Sequence, residues 1–230
     1  MLSPLILSLV ASYQSPTPVP PVTIKRTPIK GQKLVFQSRG NVEVGGQSAT
    51  VTSRETKIIT DVKPDGTFTT ESTESDLTVN ETPAVAPAEV TTAVYRTSGE
   101  LISITTGNGI EGRSRTTAIT QIYFPTKPMS PGDTWIYSSK KDETLGIVPF
   151  TATFKYVGLE NVGAFRTWKI TEDVLESEGT TPASVHIVAY LDVTDGSVVQ
   201  ATSELNNLPA PGGGVLKGNM VVKRRPSDDK

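Results

Sequence analysis

Three sets of side chains in this sequence carry the residue types that chemistry needs. Glu172, Asp173 and Glu176 lie close together along the chain, as do Glu71, Glu74 and Asp76. Two carboxyls can hydrolyse a glycosidic bond when they face each other across a sugar. Along a strand Glu74 and Asp76 share one face and Glu71 takes the other, so that set does not converge. Both sets read more simply as solvated strand faces. His186 is the only histidine, and a neutral imidazole makes a competent base near neutral pH. It faces away from the apolar stripe of its own strand, beside Ser184 and Tyr190, and no G-x-S-x-G elbow occurs for it to serve. It reads as a surface or cup-lining histidine.

Other motifs are weaker. Gly107-Asn108-Gly109-Ile110-Glu111-Gly112 spells G-x-G-x-x-G. A dinucleotide site needs those glycines between a strand and a good helix in a βαβ unit, and the segment that follows is a poor helix, so a glycine turn is expected. Asp61 to Asp65 and Asp192 to Asp195 lack the dense oxygen spacing of a calcium loop and read as turns. Asn80-Glu81-Thr82 is a glycosylation sequon followed by Pro83. Lys223-Arg224-Arg225 closes the last strand, where it could meet an anionic lipid surface or simply solubilise the terminus.

Composition narrows the function further. With no cysteine and one histidine, the chain cannot build a thiolate nucleophile, a disulfide or a multi-histidine metal centre. No metal and no cofactor is expected. A net charge of -2 gives no basic excess for releasing counterions from phosphates, so nucleic acid is not the expected partner. A carboxylate-driven hydrolase using Glu74 or Glu172 is the one enzyme reading left, and a non-catalytic protein is expected instead.

The elements that must position these residues are strands. Leu34 to Val44 alternates with period two, and Gly45-Gly46 turns it into Ala49 to Asp61. Lys63-Pro64-Asp65-Gly66 turns the chain into Thr67 to Val79, because proline presets one corner and glycine takes the positive φ after it. A low-complexity break, Glu81 to Ala88, precedes a pair across Ser98-Gly99. Arg115 to Phe124 is the one segment that could be helical. Further on, Phe150, Ala152, Phe154 and Tyr156 share a face. Trp168 and Ile170 share theirs with Arg166 and Glu172, and Val185, Ile187, Ala189, Leu191 and Val193 form one apolar stripe. Thr194-Asp195-Gly196 and Gly212-Gly213-Gly214 punctuate the last strands. About ten strands with hairpin-length links predict an all-β protein with few short helices, a large, strongly curved antiparallel sheet forming an incomplete barrel.

Ahead of this domain, Leu2 to Ala11 is a short apolar run and Val10-Ala11-Ser12 offers small residues for a signal peptidase. Residues 1–12 therefore read as a signal peptide, 13–24 as a proline-rich spacer, 25–225 as a single β domain and 226–230 as a tail. The destination is outside the cytoplasm, periplasmic or extracellular.

Two passages carry a family likeness. Phe124-Pro125-Thr126-Lys127-Pro128, continuing through Pro131-Gly132-Asp133-Thr134-Trp135, resembles a passage of uncharacterised bacterial secreted proteins. Tyr190 to Val199, with its Thr194-Asp195-Gly196 turn, resembles their late hairpin, which is similar to that of the periplasmic lipoprotein-carrier (LolA/LolB-like) group. The resemblance implies a half-barrel whose concave face can hold acyl chains. This chain departs from the carriers in lacking clear amphipathic helices to plug the cup and the lipid-anchoring cysteine of the membrane-bound members. By their size, Trp135, Tyr137, Phe154, Tyr156 and Trp168 are the residues available to line such a cup or to fill a core. Trp135, directly after a proline-rich turn, is expected to be buried. The expected function is binding of an apolar or amphipathic, lipid-like ligand. The alternative is a structural or protein-interaction module of the cell envelope, offering strand edges to a partner.

Overall fold

The computed structural model describes residues 20–84, 89–106, 112–210 and 214–226. The segment read as a signal peptide, most of the spacer, the glycine run 107–111 and the last four residues lie outside it.

Alternating patterns become strands throughout: β1 (Lys33–Val44), β2 (Gln47–Val62), β3 (Phe68–Val79), β4 (Thr82–Pro83), β5 (Val90–Tyr95), β6 (Leu101–Thr106), β7 (Thr134–Ser139), β8 (Phe150–Val162), β9 (Phe165–Glu176), β10 (Ser184–Asp192), β11 (Val198–Pro209) and β12 (Val215–Arg225). One short helix, α1 (Arg113–Ile119), starts slightly earlier than its sequence suggested and stops well before Phe124. All strands join one antiparallel sheet in the order β6-β5-β3-β2-β1-β12-β11-β10-β9-β8-β7, with β4 pairing only β3. The pairing of β1 with β12 joins the first and last strands at the middle of the sheet.

The sheet is open but strongly curled. In that order β5 and β9 stand seven strand spacings apart, about 34 Å if the sheet were flat. Yet on α1 the Arg113 guanidinium donates to the Thr91 hydroxyl of β5, and Arg115, two residues on, pairs with Glu176 of β9. Only a sheet folded back on itself lets one helical turn touch both strands. Leu145, between β7 and β8, makes the same point by packing against both apolar clusters of the concave side. Part of the bend lies where β1 crosses β12. Gly218 sits opposite Val42 at φ 151, and a Cβ there would stand 2.1 Å from the Asn41 carbonyl oxygen. Without a side chain the two backbones close up and the sheet coils.

Concave-facing residues of β8, β9 and β10 form the main core with α1, the connector after it and the N-terminal strap. Ile24, assigned to the spacer by sequence, is 1% exposed, and Val22 exchanges backbone hydrogen bonds with Met129 at 2.8 and 2.9 Å. The folded part therefore begins before residue 25.

Candidate functional site

The five aromatic residues singled out by sequence do meet on the concave face. Trp135 pairs across strands with Phe154 and Tyr137 with Ala152. Tyr156 lies opposite Ile170, and Leu191 lies opposite Trp168. Phe154 and Tyr156 are completely covered and Trp168 nearly so. Trp135 and Tyr137 are half-buried rather than buried, because β7 is the last strand of the sheet and no described strand pairs with it on its outer side.

What covers these aromatics is the chain itself. Tyr123, in the connector after α1, stacks on Tyr137 with ring centroids 3.6 Å apart and planes within 7°. The Trp135 ring lies flat over Phe154 at 5.0 Å, and its indole N–H donates to the Tyr123 carbonyl at 2.8 Å. Ala118, Ile119, Ile122 and Met129 complete the cover. Burial pushes the Tyr123 phenol well up, and Tyr137 and Glu172 add to the effect. The cover was hard to read from sequence because it is mostly irregular chain, and α1 shows only two fully buried residues. It plugs the cup where the sequence showed no clear plugging helix.

Glu172 overturns the expectation of a solvated acidic face. It projects between Phe154 and Ile187 on the same rung of the sheet and is 1% exposed. Neither carboxyl oxygen has a hydrogen-bond partner. Burial, with Asp173 adding to it, pushes this carboxyl well above the ordinary range. Glu176 is also buried, but it is satisfied: Arg115 grips it with two hydrogen bonds of 2.6 and 2.5 Å, and the Ala183 N–H donates at 2.6 Å. Asp173 alone of that trio points outward, where it meets His186 at 2.7 Å on the exposed convex face. The three acids therefore do not converge on a common point.

From Glu172 the rung continues through Ile187 to Ser203 and Met220. Among the described residues the cover thins here. Ala201, Leu216 and Met220 are only partly buried against the core, and Ser203 is half-exposed beside them. A cleft of about 370 Å³ also opens where the two end strands approach each other, between Glu100 and Leu101 on one side and Tyr137 to Ser139 on the other.

The remaining motifs take structural roles. Glu71, Glu74 and Asp76 are exposed on β3. Asp65 caps its own turn through the Thr67 N–H at 2.9 Å, and the Asn80 side chain accepts from the Thr50 N–H at 2.8 Å. Gly112 precedes α1 at φ 80, while the rest of the glycine motif lies outside the described residues. A helix does follow it, but from the end strand of an antiparallel sheet rather than within a βαβ unit. Arg224 is not a solubilising terminal charge. Its side chain is 7% exposed and pairs with Asp192 at 2.5 Å, and its guanidinium carbon lies 4.1 Å from the Phe165 ring centroid. Asp195 accepts from the Ser197 N–H and hydroxyl at 2.7 Å and pairs with Arg26 at 3.6 Å. This network pins the strap to the β10–β11 turn. Burial pushes the Asp192 carboxyl up, but the Thr194 N–H and Arg224 outweigh it and hold the group below its usual range. Among the described residues no three histidine or acidic side chains gather closely enough to hold a metal ion.

No protein-family model and no curated protein matches this sequence. Among solved structures the chain is similar to the hypothetical lipoprotein YmcC from Escherichia coli, at 14% identity over 83% of this chain and 85% of that one, with a TM-score of 0.31. It is also similar to a DUF1329 family protein from Desulfovibrio piger, at 11% identity over 85% of this chain and 84% of that one, with a TM-score of 0.28. Fits this loose leave the site to be read from the chain's own geometry.

Proposed function

We propose that this is an exported, non-catalytic protein that binds an apolar or amphipathic ligand on the concave face of its sheet. One observation carries the reading. Among the described residues, the apolar face covered by α1 and the connector over β8 to β10 continues across β11 and β12 through Ala201, Leu216 and Met220, which are only partly buried. Concave apolar surface with a few polar groups is the usual form of a small-molecule site. The short apolar run Leu2 to Ala11 supports export, and the dispersal of His186, Glu74 and Glu172 supports a non-catalytic role. Protein purified without detergent and examined by native mass spectrometry should carry lipid-sized adducts that organic extraction removes. A homogeneous apo mass, with no binding of added amphiphile, would overturn the reading.

A second reading, an interaction module of the cell envelope, has its own observation. β7 pairs β8 only from Phe150 to Lys155, and past Tyr156 no described strand accompanies β8 on that side. Val157 and Leu159 are 42% and 40% exposed there. Such an edge can accept a partner's strand. Under this reading Leu159→Lys abolishes capture of a specific envelope protein and leaves ligand binding unchanged.

A further inference from the structure

Among the described residues of the main core, the Glu172 carboxyl is the one buried side-chain polar group without a hydrogen-bond partner. Its neighbours along the strand, Ile170 and Val174, are core residues, and its cross-strand neighbours are Phe154 and Ile187. Leaving a buried polar atom without a partner is destabilising. An apolar residue of similar size would avoid that cost, as Ile170 and Val174 do beside it. The group lies two strands from Ser203, about 10 Å along the rung, with Ile187 between them on that rung and with Ala201, Leu216 and Met220 partly buried beyond it.

We infer that Glu172 is the polar handle for the ligand's head group, and that the head group is uncharged and bears a hydroxyl. The inference rests on the ligand-binding reading above and deepens it. In that arrangement the apolar chain lies over Ala201, Leu216 and Met220, and its polar end passes Ile187 to reach the carboxyl. Burial among apolar side chains favours the protonated carboxyl, which offers one donor and spare acceptor capacity. A hydroxyl supplies both complements. An ionised carboxylate, phosphate or ammonium would bring an incompletely compensated charge into the same low-dielectric site.

Two isomeric probes separate the head group from the chain. 1-Undecanol and decyl methyl ether share one molecular formula, but only the alcohol can donate a hydrogen bond. Their affinities are measured by displacement of 1-anilinonaphthalene-8-sulfonate from the full chain, in the wild type and in Glu172→Leu. Glu172→Met, which better preserves side-chain length, is the second variant, with folding checked by near-ultraviolet circular dichroism. The wild type should favour the alcohol, and the ether-to-alcohol ratio of dissociation constants should fall about tenfold in either variant. An unchanged ratio with both probes still bound overturns the role of Glu172 and leaves the binding reading standing. Failure of the wild type to bind either probe overturns both.

Discussion

The indole N–H of Trp135 donates to the backbone carbonyl of Tyr123 at 2.8 Å. This bond ties β7, the outermost strand on one side of the sheet, to the connector that lies across the concave face. Since Tyr123 also stacks on Tyr137, the connector and the strand hold each other in place. Trp135→Ala should therefore cost about 2–4 kcal/mol, somewhat below the value for a fully buried tryptophan. Trp135→Phe keeps the stack on Phe154 and loses the hydrogen bond, for about 1 kcal/mol. Denaturant unfolding of the two variants checks the order. Equal losses would mean the hydrogen bond carries the contact and the stack adds little.

Glu172 gives the fold a pH dependence of predictable sign. Its carboxyl is raised by burial in the folded chain and returns to about 4.3 on unfolding. Between those two values the folded state holds the extra proton, so stability falls as pH rises through the window and is fullest below it. Glu172→Gln cannot ionise. Urea unfolding at about pH 4 and about pH 8 should show the variant gaining on wild type at the higher pH. A constant difference would mean the carboxyl does not titrate with folding.

The strap depends on a buried charge network. Asp195→Ala leaves Arg26 buried without its carboxylate and removes the acceptor of both Ser197 hydrogen bonds. Stripping one partner from such a pair costs about 3–5 kcal/mol. Because Thr27 also donates to the Asp195 carbonyl, the strap should loosen first. Limited proteolysis should then cut near Lys25 and Arg26 faster than in wild type, and an unchanged cleavage pattern would contradict the role given to the network.

The bend at β1 and β12 is tested by Gly218→Ala. A methyl group 2.1 Å from the Asn41 oxygen cannot be accommodated without moving one strand. The loss should exceed about 2 kcal/mol, more than glycine's ordinary entropy difference from alanine explains. Gly163→Ala, where nothing stands within 4 Å although φ is 57, should cost less. Thermal unfolding midpoints of the two variants decide the order.

Much of the architecture is legible in the sequence because period two speaks plainly where one face is wet. Val185 to Leu191 announces its buried stripe, and Phe150 to Tyr156 does the same. The site is less legible. Glu172 sits at a core position of β9, and its parity with Trp168 and Ile170 was the available signal, masked by the exposed Arg166 in the same series and by the adjacent acids Asp173 and Glu176. Arg224 was hidden by its charged neighbours Lys223 and Arg225. Its burial depends on Asp192, 32 residues away, and no local pattern encodes that pairing. The connector from Thr120 to Tyr123 covers the aromatics through irregular backbone, which leaves no period to read.

If ligand binds as proposed, it lies on the partly buried concave surface of β11 and β12. The methionines supply a direct reporter, since the sequence has three. Met220 is partly buried on that surface, and Met129 is 0% exposed beneath the strap. With methionine methyl groups carbon-13 labelled, titration with 1-undecanol should shift the Met220 resonance saturably and leave Met129 in place. A Met220 resonance unmoved by the alcohol, up to the limit of its solubility, would contradict the claim.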